Sequence, residues 1–459
     1  MKRTTTRLTP ALLLVAALCF VSSSSAQGPA YKSTFVRVDR GIPGVLYEPV
    51  SLGPKAGIGV VVMHTGGDYL TMPPCAELAT RGYRVLCANC TTSKSGFVSD
   101  QDEDSMILNV KSGMQYLRSV PGVKKVVILG HSGGGGLMAA YQNIAENGLN
   151  ACQGPEKLIK CSDKLAGLPA ADGIMLLDST FSQAVSTLVS LDPAPVNQGN
   201  GQVLNPDLDM FNPANGYNPK GSTYSEKFRQ QFFARQRETM DQLIAKAQDR
   251  LEKIKAGKGD FADDEPFLVH SNPSGNQLFT QDVSLWSHTR NAWPLLHADG
   301  TVTTQIVHTV RVPLGGKSHT PSLYQGAIRT TIRSFLSTFA MRSTADFGYD
   351  ASNVHGIDFN SSYAATPNSV EGITVPLLQM GMTGSNEYFM AETVREHAKS
   401  ADKTLAYVEG ATHDFAPCKK CAVAQGLPES YYGDTIKTLF DFVDGWLSKP
   451  GRFMGEQAK

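Results

Sequence analysis

Short apolar runs recur along the chain with turn residues between them. Ile58 to His64 (IGVVVMH) is a β-branched run suited to a strand buried on both faces. Tyr83 to Ala88, Val123 to Gly130 and Gly173 to Asp178 repeat that pattern, and Ile373 to Gly381 and Thr404 to Val408 carry it late in the chain. Helical patterns lie between the runs, over Pro73 to Arg81, Asp104 to Arg118, Gly135 to Asn147 and Ala391 to Ala401, with an amphipathic closing helix over Tyr432 to Leu447. Phe35 to Tyr47 reads as an antiparallel leading hairpin. Buried strands alternating with helices predict an α/β fold, a mainly parallel sheet flanked by helices.

One segment breaks the alternation. Ser179 to Glu371 opens with a Pro- and Asn-rich stretch, Asp192 to Lys220. A charged helix follows over about Tyr224 to Ala256, then strand-like pieces including Thr301 to Val312 after an Asp299-Gly300 turn, and a helix near Leu323 to Met341. A structureless loop of this length is improbable in a compact domain. The expected organisation is a core over 27–178, an inserted cap over 179–371, and the rest of the core over 372–459.

The N-terminus changes the compartment. Lys2, Arg3 and Arg7 precede the mostly apolar Leu8 to Val21, and small residues Ser22 to Ala26 follow. That order predicts a secretory signal peptide, residues 1–26, cut after Ala26 to give a secreted or periplasmic protein. The apolar stretch falls short of the ~20 residues a spanning helix needs, so no stable membrane anchor is expected. Lys plus Arg equals Asp plus Glu, 42 each, which leaves no basic excess for a nucleic-acid backbone. Of the eight cysteines, Cys19 leaves with the leader. Disulfides are permitted outside the cytosol. The expected bridges are Cys152–Cys161, Cys418–Cys421 and Cys75–Cys90, with Cys87 unpaired inside an apolar strand pattern. A lone Cys418-Lys-Lys-Cys421 has too few ligands for zinc.

The third apolar run ends in Gly130-His131-Ser132-Gly133-Gly134, followed by Gly135, Gly136 and small residues. This is G-x-S-x-G between a strand and a helix. A nucleophilic serine there must sit on a sharp turn that lifts its hydroxyl above the sheet, and the residues two before and two after must be nearly free of side chain. The segment lacks the Lys-Ser/Thr ending of a phosphate loop and the glycine spacing of a dinucleotide site. With its flanking strand and helix, the motif resembles the esterase and lipase branch of the α/β-hydrolase superfamily. The resemblance covers roughly Val45 to Asp178 and Ile373 to Leu447.

The resemblance implies the remaining chemistry. Its general base is a histidine after the last sheet strand, which maps to His413 in Glu409-Gly410-Ala411-Thr412-His413, ahead of His64, His131 and His397. Its oxyanion donors map to the N–H of Gly133 and to the loop Met63-His64-Thr65-Gly66-Gly67, where Gly66 is expected and Thr65 or Gly67 is the alternative. Its acid usually follows the penultimate strand as Gly-x-x-Asp, but here Gly384 stands at that place. Asp178, at the end of the strand after the nucleophile, is the expected acid, with Glu387 as the alternative. The implied activity is hydrolysis of a small-molecule carboxylic ester or lactone through an acyl-enzyme, with no cofactor and no metal. Trp286, Trp293, Phe232, Phe233 and Tyr324 are aromatic candidates for the cap lining. Amide or carbon–carbon bond hydrolysis on the same triad, or a non-catalytic binding protein on the same fold, are the competing readings.

Overall fold

In the computed structural model, which describes residues 30–94, 101–197, 200–270, 277–315 and 326–454, the apolar runs pair into one ten-stranded sheet. The expected signal peptide and its cleavage point lie outside the described residues. The strands, in chain order, are β1 (Tyr31–Asp39), β2 (Ile42–Pro49), β3 (Ile58–Val62), β4 (Arg84–Ala88), β5 (Lys125–Ser132), β6 (Gly173–Ser179), β7 (His288–Leu296), β8 (Val302–His308), β9 (Leu377–Met382) and β10 (Lys403–Val408). Their order across the sheet is β1-β2-β4-β3-β5-β6-β9-β10-β7-β8. The pairs from β4 through to β7 are parallel. The β1–β2 hairpin, its joint with β4, and the β7–β8 hairpin are antiparallel.

The continuous apolar runs follow from burial on both faces. Val60, Val62, Val127 and Leu129 pack toward α1 (Pro73–Thr80) and the closing helix Thr435–Leu447. Val61 and Ile128 point the other way, onto α2 (Glu103–Ser119) and α3 (Gly133–Asn147). Burying one such side chain contributes roughly 1.5–3 kcal/mol. Helix α2 starts where the side chain of Asp102 accepts the Ser105 N–H, and it carries acidic Glu103 and Asp104 in its first turn.

The period-2 alternation of β4 corrects one expected disulfide. Cys87 lies on the face that meets α1, and it pairs with Cys75 across a Cα–Cα distance of 6.1 Å. Cys90, two residues past the end of β4, packs in the core on the other face of the sheet and is a free, buried thiol. Cys152–Cys161 and Cys418–Cys421 form as expected.

Residues 179–371 do not all stand apart from the sheet. β7 pairs in parallel with β10, and β8 closes that edge, so this part of the insertion extends the core. The charged helix is present as Glu226–Lys255, capped by the Ser225 hydroxyl and buried along Phe228, Phe232, Thr239, Leu243 and Leu251. Among the described residues 326–341, the helix expected near Leu323 to Met341 is present only over 332–339. A strand, Ile328–Thr331, pairs there with Pro266–Val269, followed by a helical turn Ile332–Ser334 and a π-turn Phe335–Phe339. Its β-branched run, Ile328, Thr330, Thr331 and Ile332, favours the extended state.

Candidate active site

Strand β5 is central, and its last residue is Ser132. The backbone there turns abruptly, with φ 55° and ψ −130°, before α3 begins at Gly133. A non-glycine residue with positive φ is held there only by its surroundings. The surroundings are backbone in close approach. A Cβ on Gly130 would lie 2.4 Å from the Gly134 carbonyl oxygen, and one on Gly134 would lie 2.6 Å from that of Met63. Only glycine fits at either place, which is the physical content of the G-x-S-x-G spacing.

His131 carries its side chain away from the pocket into buried space. Its Nε2 lies 2.8 Å from the His413 carbonyl oxygen and its Nδ1 lies 2.5 Å from the Tyr69 hydroxyl. A carbonyl only accepts, so Nε2 carries the proton and Nδ1 accepts from the tyrosine. Burial pushes the His131 pKa well below its ordinary value, and the neighbouring His413 adds to this. This neutral ring ties the Ser132 turn to the backbone of the His413 loop, a contact that no pattern in the sequence announces.

His413 follows β10 in a loop pinned from several sides. Its Nδ1 lies 2.7 Å from Asp178 Oδ2. Asp178, the penultimate residue of β6, has a positive φ of 44° and is fully buried. Its other oxygen, Oδ1, accepts the Met382 N–H at 2.9 Å. Glu387 stands farther off, 3.7 Å from His413 Nδ1, and accepts from the Ser385 hydroxyl. The position where the acid is usually found is closed. Gly384 donates its N–H to the Ala411 carbonyl at 2.8 Å, and a Cβ there would lie 2.7 Å from the same oxygen. A side chain at residue 384 would push the histidine loop away.

A turn-borne serine at the end of the central parallel strand thus shares one sheet edge with a histidine–aspartate pair from the ends of β6 and β10. The fold is that of the α/β-hydrolases. Among solved structures, the chain is similar to a siderophore hydrolase of Aspergillus fumigatus at 11% identity and TM-score 0.41, over 92% of this chain and 98% of that one. It is similar to a hypothetical protein of Pseudomonas aeruginosa at 13% identity and TM-score 0.40, over 91% and 93%. It is similar to a monoglyceride lipase of Saccharomyces cerevisiae at 12% identity and TM-score 0.38, over 94% and 97%. No protein-family model matches the chain, and no curated protein matches its sequence.

Ser132 opens into a cavity of about 380 Å³, lined also by Gly133, His64, Gln183, Arg311 and Glu387. His64 organises the neighbouring loop. Its Nδ1 accepts the N–H of Gly67 at 2.7 Å and of Gly66 at 3.1 Å. Gly66 therefore does not offer its N–H to the cavity as expected, and Gly67 does not replace it. Two donors at Nδ1 fix the proton on Nε2. Burial, together with the charges of His413 and Lys94, pushes the His64 pKa down to about 3, so the ring stays neutral. The Cβ direction of Gly133 points within 3.3 Å of His64 Nε2.

Asp178, Glu387 and His413 bring their ligand-type atoms within 4.8 Å of one another. Both oxygens of Asp178 are engaged as hydrogen-bond acceptors, and His413 Nδ1 is one of their partners. That arrangement suits proton handling better than metal ligation. The aromatic candidates lie elsewhere. Trp286, Phe232 and Phe233 are buried in the insertion, with Trp286 stacked between Phe279 and Phe389. Trp293 donates to Glu392 at its partly exposed position. Tyr324 lies outside the described residues.

Burial disfavours a charged His413, but the carboxylates of Glu387 and Asp178 outweigh it and lift its pKa to about 9. The shift favours the protonated ring, so the free base forms at higher pH than for an ordinary histidine. Removing the Glu387 charge takes away a raising influence, so Glu387→Gln shifts the titration to lower pH. An NMR titration of the His413 ring checks this, and an unchanged midpoint in the variant would refute it.

Proposed function

We propose that the protein is a secreted serine hydrolase that cleaves a carboxylic ester or lactone. Ser132 is the nucleophile, His413 the general base, and Asp178 the group that orients it. The observation that carries the reading is the His413–Asp178 hydrogen bond of 2.7 Å, set at the same sheet edge as the strained turn of Ser132. Asp178 fixes the tautomer of the imidazole and the His131 bond holds the backbone that carries it, leaving Nε2 for the serine proton.

In this mechanism the Ser132 oxygen attacks the substrate carbonyl carbon while its proton passes to His413. The tetrahedral oxyanion collapses, the carbon–oxygen bond to the alcohol breaks, and His413 returns the proton to the leaving oxygen. Water then attacks the acyl-enzyme by the same route and releases the acid. The first oxyanion donor is the Gly133 N–H, which at the first position of α3 has no helical carbonyl to receive it. The second is the Nε2–H of His64, a neutral donor that needs no reorganisation during the reaction. His64→Leu is expected to lower kcat about 10²–10³-fold, and His64→Gln less, because an amide preserves a donor. Equal losses in the two variants would count against a donor role. The part of 179–371 outside β7 and β8 acts as the cap, since it supplies Gln277, Thr280 and Arg311 to the cavity. Secretion is supported by the leader-like first 26 residues and by the three bridges. No helix of the described residues is long and apolar enough to cross a membrane.

The test is fluorophosphonate labelling of the mature protein, with the modified peptide located by mass spectrometry. One label on Ser132, absent in Ser132→Ala, is the expected result. Folded protein that takes no label would move the reading to a binding protein on a hydrolase fold.

A further inference from the structure

The cavity is lined by two cations, Arg311 and Lys420, and one carboxylate, Glu387, and Arg311 is not ion-paired with that carboxylate. Arg311 lines it beside Ser132 and Gly133, and its guanidinium is almost wholly buried. Its Nη2 donates to the carbonyl oxygens of Leu285 and Trp286. Its Nε and Nη1 are shielded from solvent and have no hydrogen-bond acceptor. Among the described residues no carboxylate forms an ion pair with it. The acids that act on it do so from a distance and are engaged elsewhere. Glu387 faces Ser385 and His413, and Asp282 accepts from Ser284 and the Tyr224 N–H.

A buried charge without a partner is among the costliest features a fold can carry, and removing one member of a buried pair typically destabilises by several kcal/mol. Burial pushes the Arg311 pKa down to about 10, which still leaves it charged in the working range. An arginine serving only the two carbonyls would not need to border the reaction cavity. The rest of the lining agrees. Gln183, Ser186, Gln277 and Thr280 are polar, and among the described residues lining it only Val312 and Leu314 are aliphatic. A cavity of about 380 Å³ with that lining suits a short polar substrate better than a long acyl chain.

We propose that the substrate is an ester bearing a free carboxylate, and that this carboxylate is the missing counter-charge of Arg311. The inference rests on the serine-hydrolase reading above and adds the substrate class. Guanidinium and carboxylate form the stronger, charge-assisted kind of hydrogen bond. The group lodges in the part of the cavity built by the insertion, with the scissile carbonyl at Ser132.

Two pairs of esters test this on the full mature chain. One pair places the charge on the acyl side, p-nitrophenyl hemiglutarate against p-nitrophenyl pentanoate. The other places it on the alcohol side, 4-carboxyphenyl butyrate against 4-carbamoylphenyl butyrate. In at least one pair kcat/KM is expected to favour the anionic member by tenfold or more. Arg311→Leu should bring that ratio near or below one while fluorophosphonate labelling of Ser132 persists, and Arg311→Lys should keep part of it. Wild-type ratios at or below one in both pairs overturn the proposal without any variant, as does a preference that survives Arg311→Leu. Free glutarate should also compete with labelling of the wild type better than glutaramide, a readout that does not depend on the folding of a variant. Failure of the hydrolase reading looks different, because then neither ester of either pair turns over and Ser132 takes no label.

Discussion

Asp178→Asn is expected to lower kcat by about 10⁴-fold while leaving the fold intact. The replacement is nearly isosteric, so packing around this fully buried side chain changes little. What changes is the hydrogen bond to His413 Nδ1, at 2.7 Å. An amide oxygen in that place accepts more weakly and carries no charge to stabilise the imidazolium, and an amide nitrogen there forces the wrong tautomer; losses near 10⁴-fold follow from that defect in serine hydrolases. Glu387→Gln should cost less than about tenfold in kcat at alkaline pH, as its oxygen is 3.7 Å from the ring and turned to Ser385. Steady-state kinetics on one chromogenic ester compares the two, with circular dichroism to confirm folding. A larger loss in Glu387→Gln would transfer the role of acid to Glu387.

The second large effect is on the backbone. Gly130→Ala places a methyl 2.4 Å from the Gly134 carbonyl oxygen and 2.7 Å from the Gly135 Cα. Neither neighbour is a side chain that can swing aside, so the turn itself must open. The expected cost is about 3 kcal/mol, and activity should fall with it because Ser132 moves. Gly445→Ala is the matched control. Its Cβ would meet nothing within 4 Å, in the closing helix, and helix propensity predicts a gain of up to about 1 kcal/mol. Urea unfolding of the two variants measures both. A Gly130→Ala protein as stable and as active as the parent would mean that the turn has room that the close contacts deny.

Much of this was legible in the chain. The core strands could be read because burial on both faces writes them as unbroken apolar runs, and the nucleophile turn because its steric demand leaves glycines at fixed offsets. The side chains of His413 and Asp178, which the resemblance pairs, lie 2.7 Å apart in the structure. The misses are of a different kind. The Cys75–Cys87 bridge depends on which core each sulfur enters, and Cys87 in β4 and Cys90 just past its end, three residues on, lie in the cores on opposite faces of the sheet. Gly66 was expected as a donor because position pointed to it, but a histidine two residues earlier takes its N–H, and no local pattern announces that capture. The strand at Ile328–Thr331 carries an apolar spacing that fits both periods over so short a run. The place of β7 and β8 at the sheet edge is a long-range pairing that periodicity does not encode.

That last pairing sets an order on assembly. β7 and β8 are synthesised before β9 and β10, yet β9 and β10 lie between them and β6 in the finished sheet. The hairpin of residues 288–308 therefore has no sheet to join until residues 377–408 have emerged and taken the inner places. Pairings so distant in sequence form late and leave strand edges open meanwhile. A nascent or truncated chain that ends before β9 is expected to carry two unpaired edges, one on β6 and one on β7, and to be prone to aggregation. The residues that close this gap lead directly into the loop of His413, so the sheet is sealed and the His413–Asp178 pair assembled in the same late step.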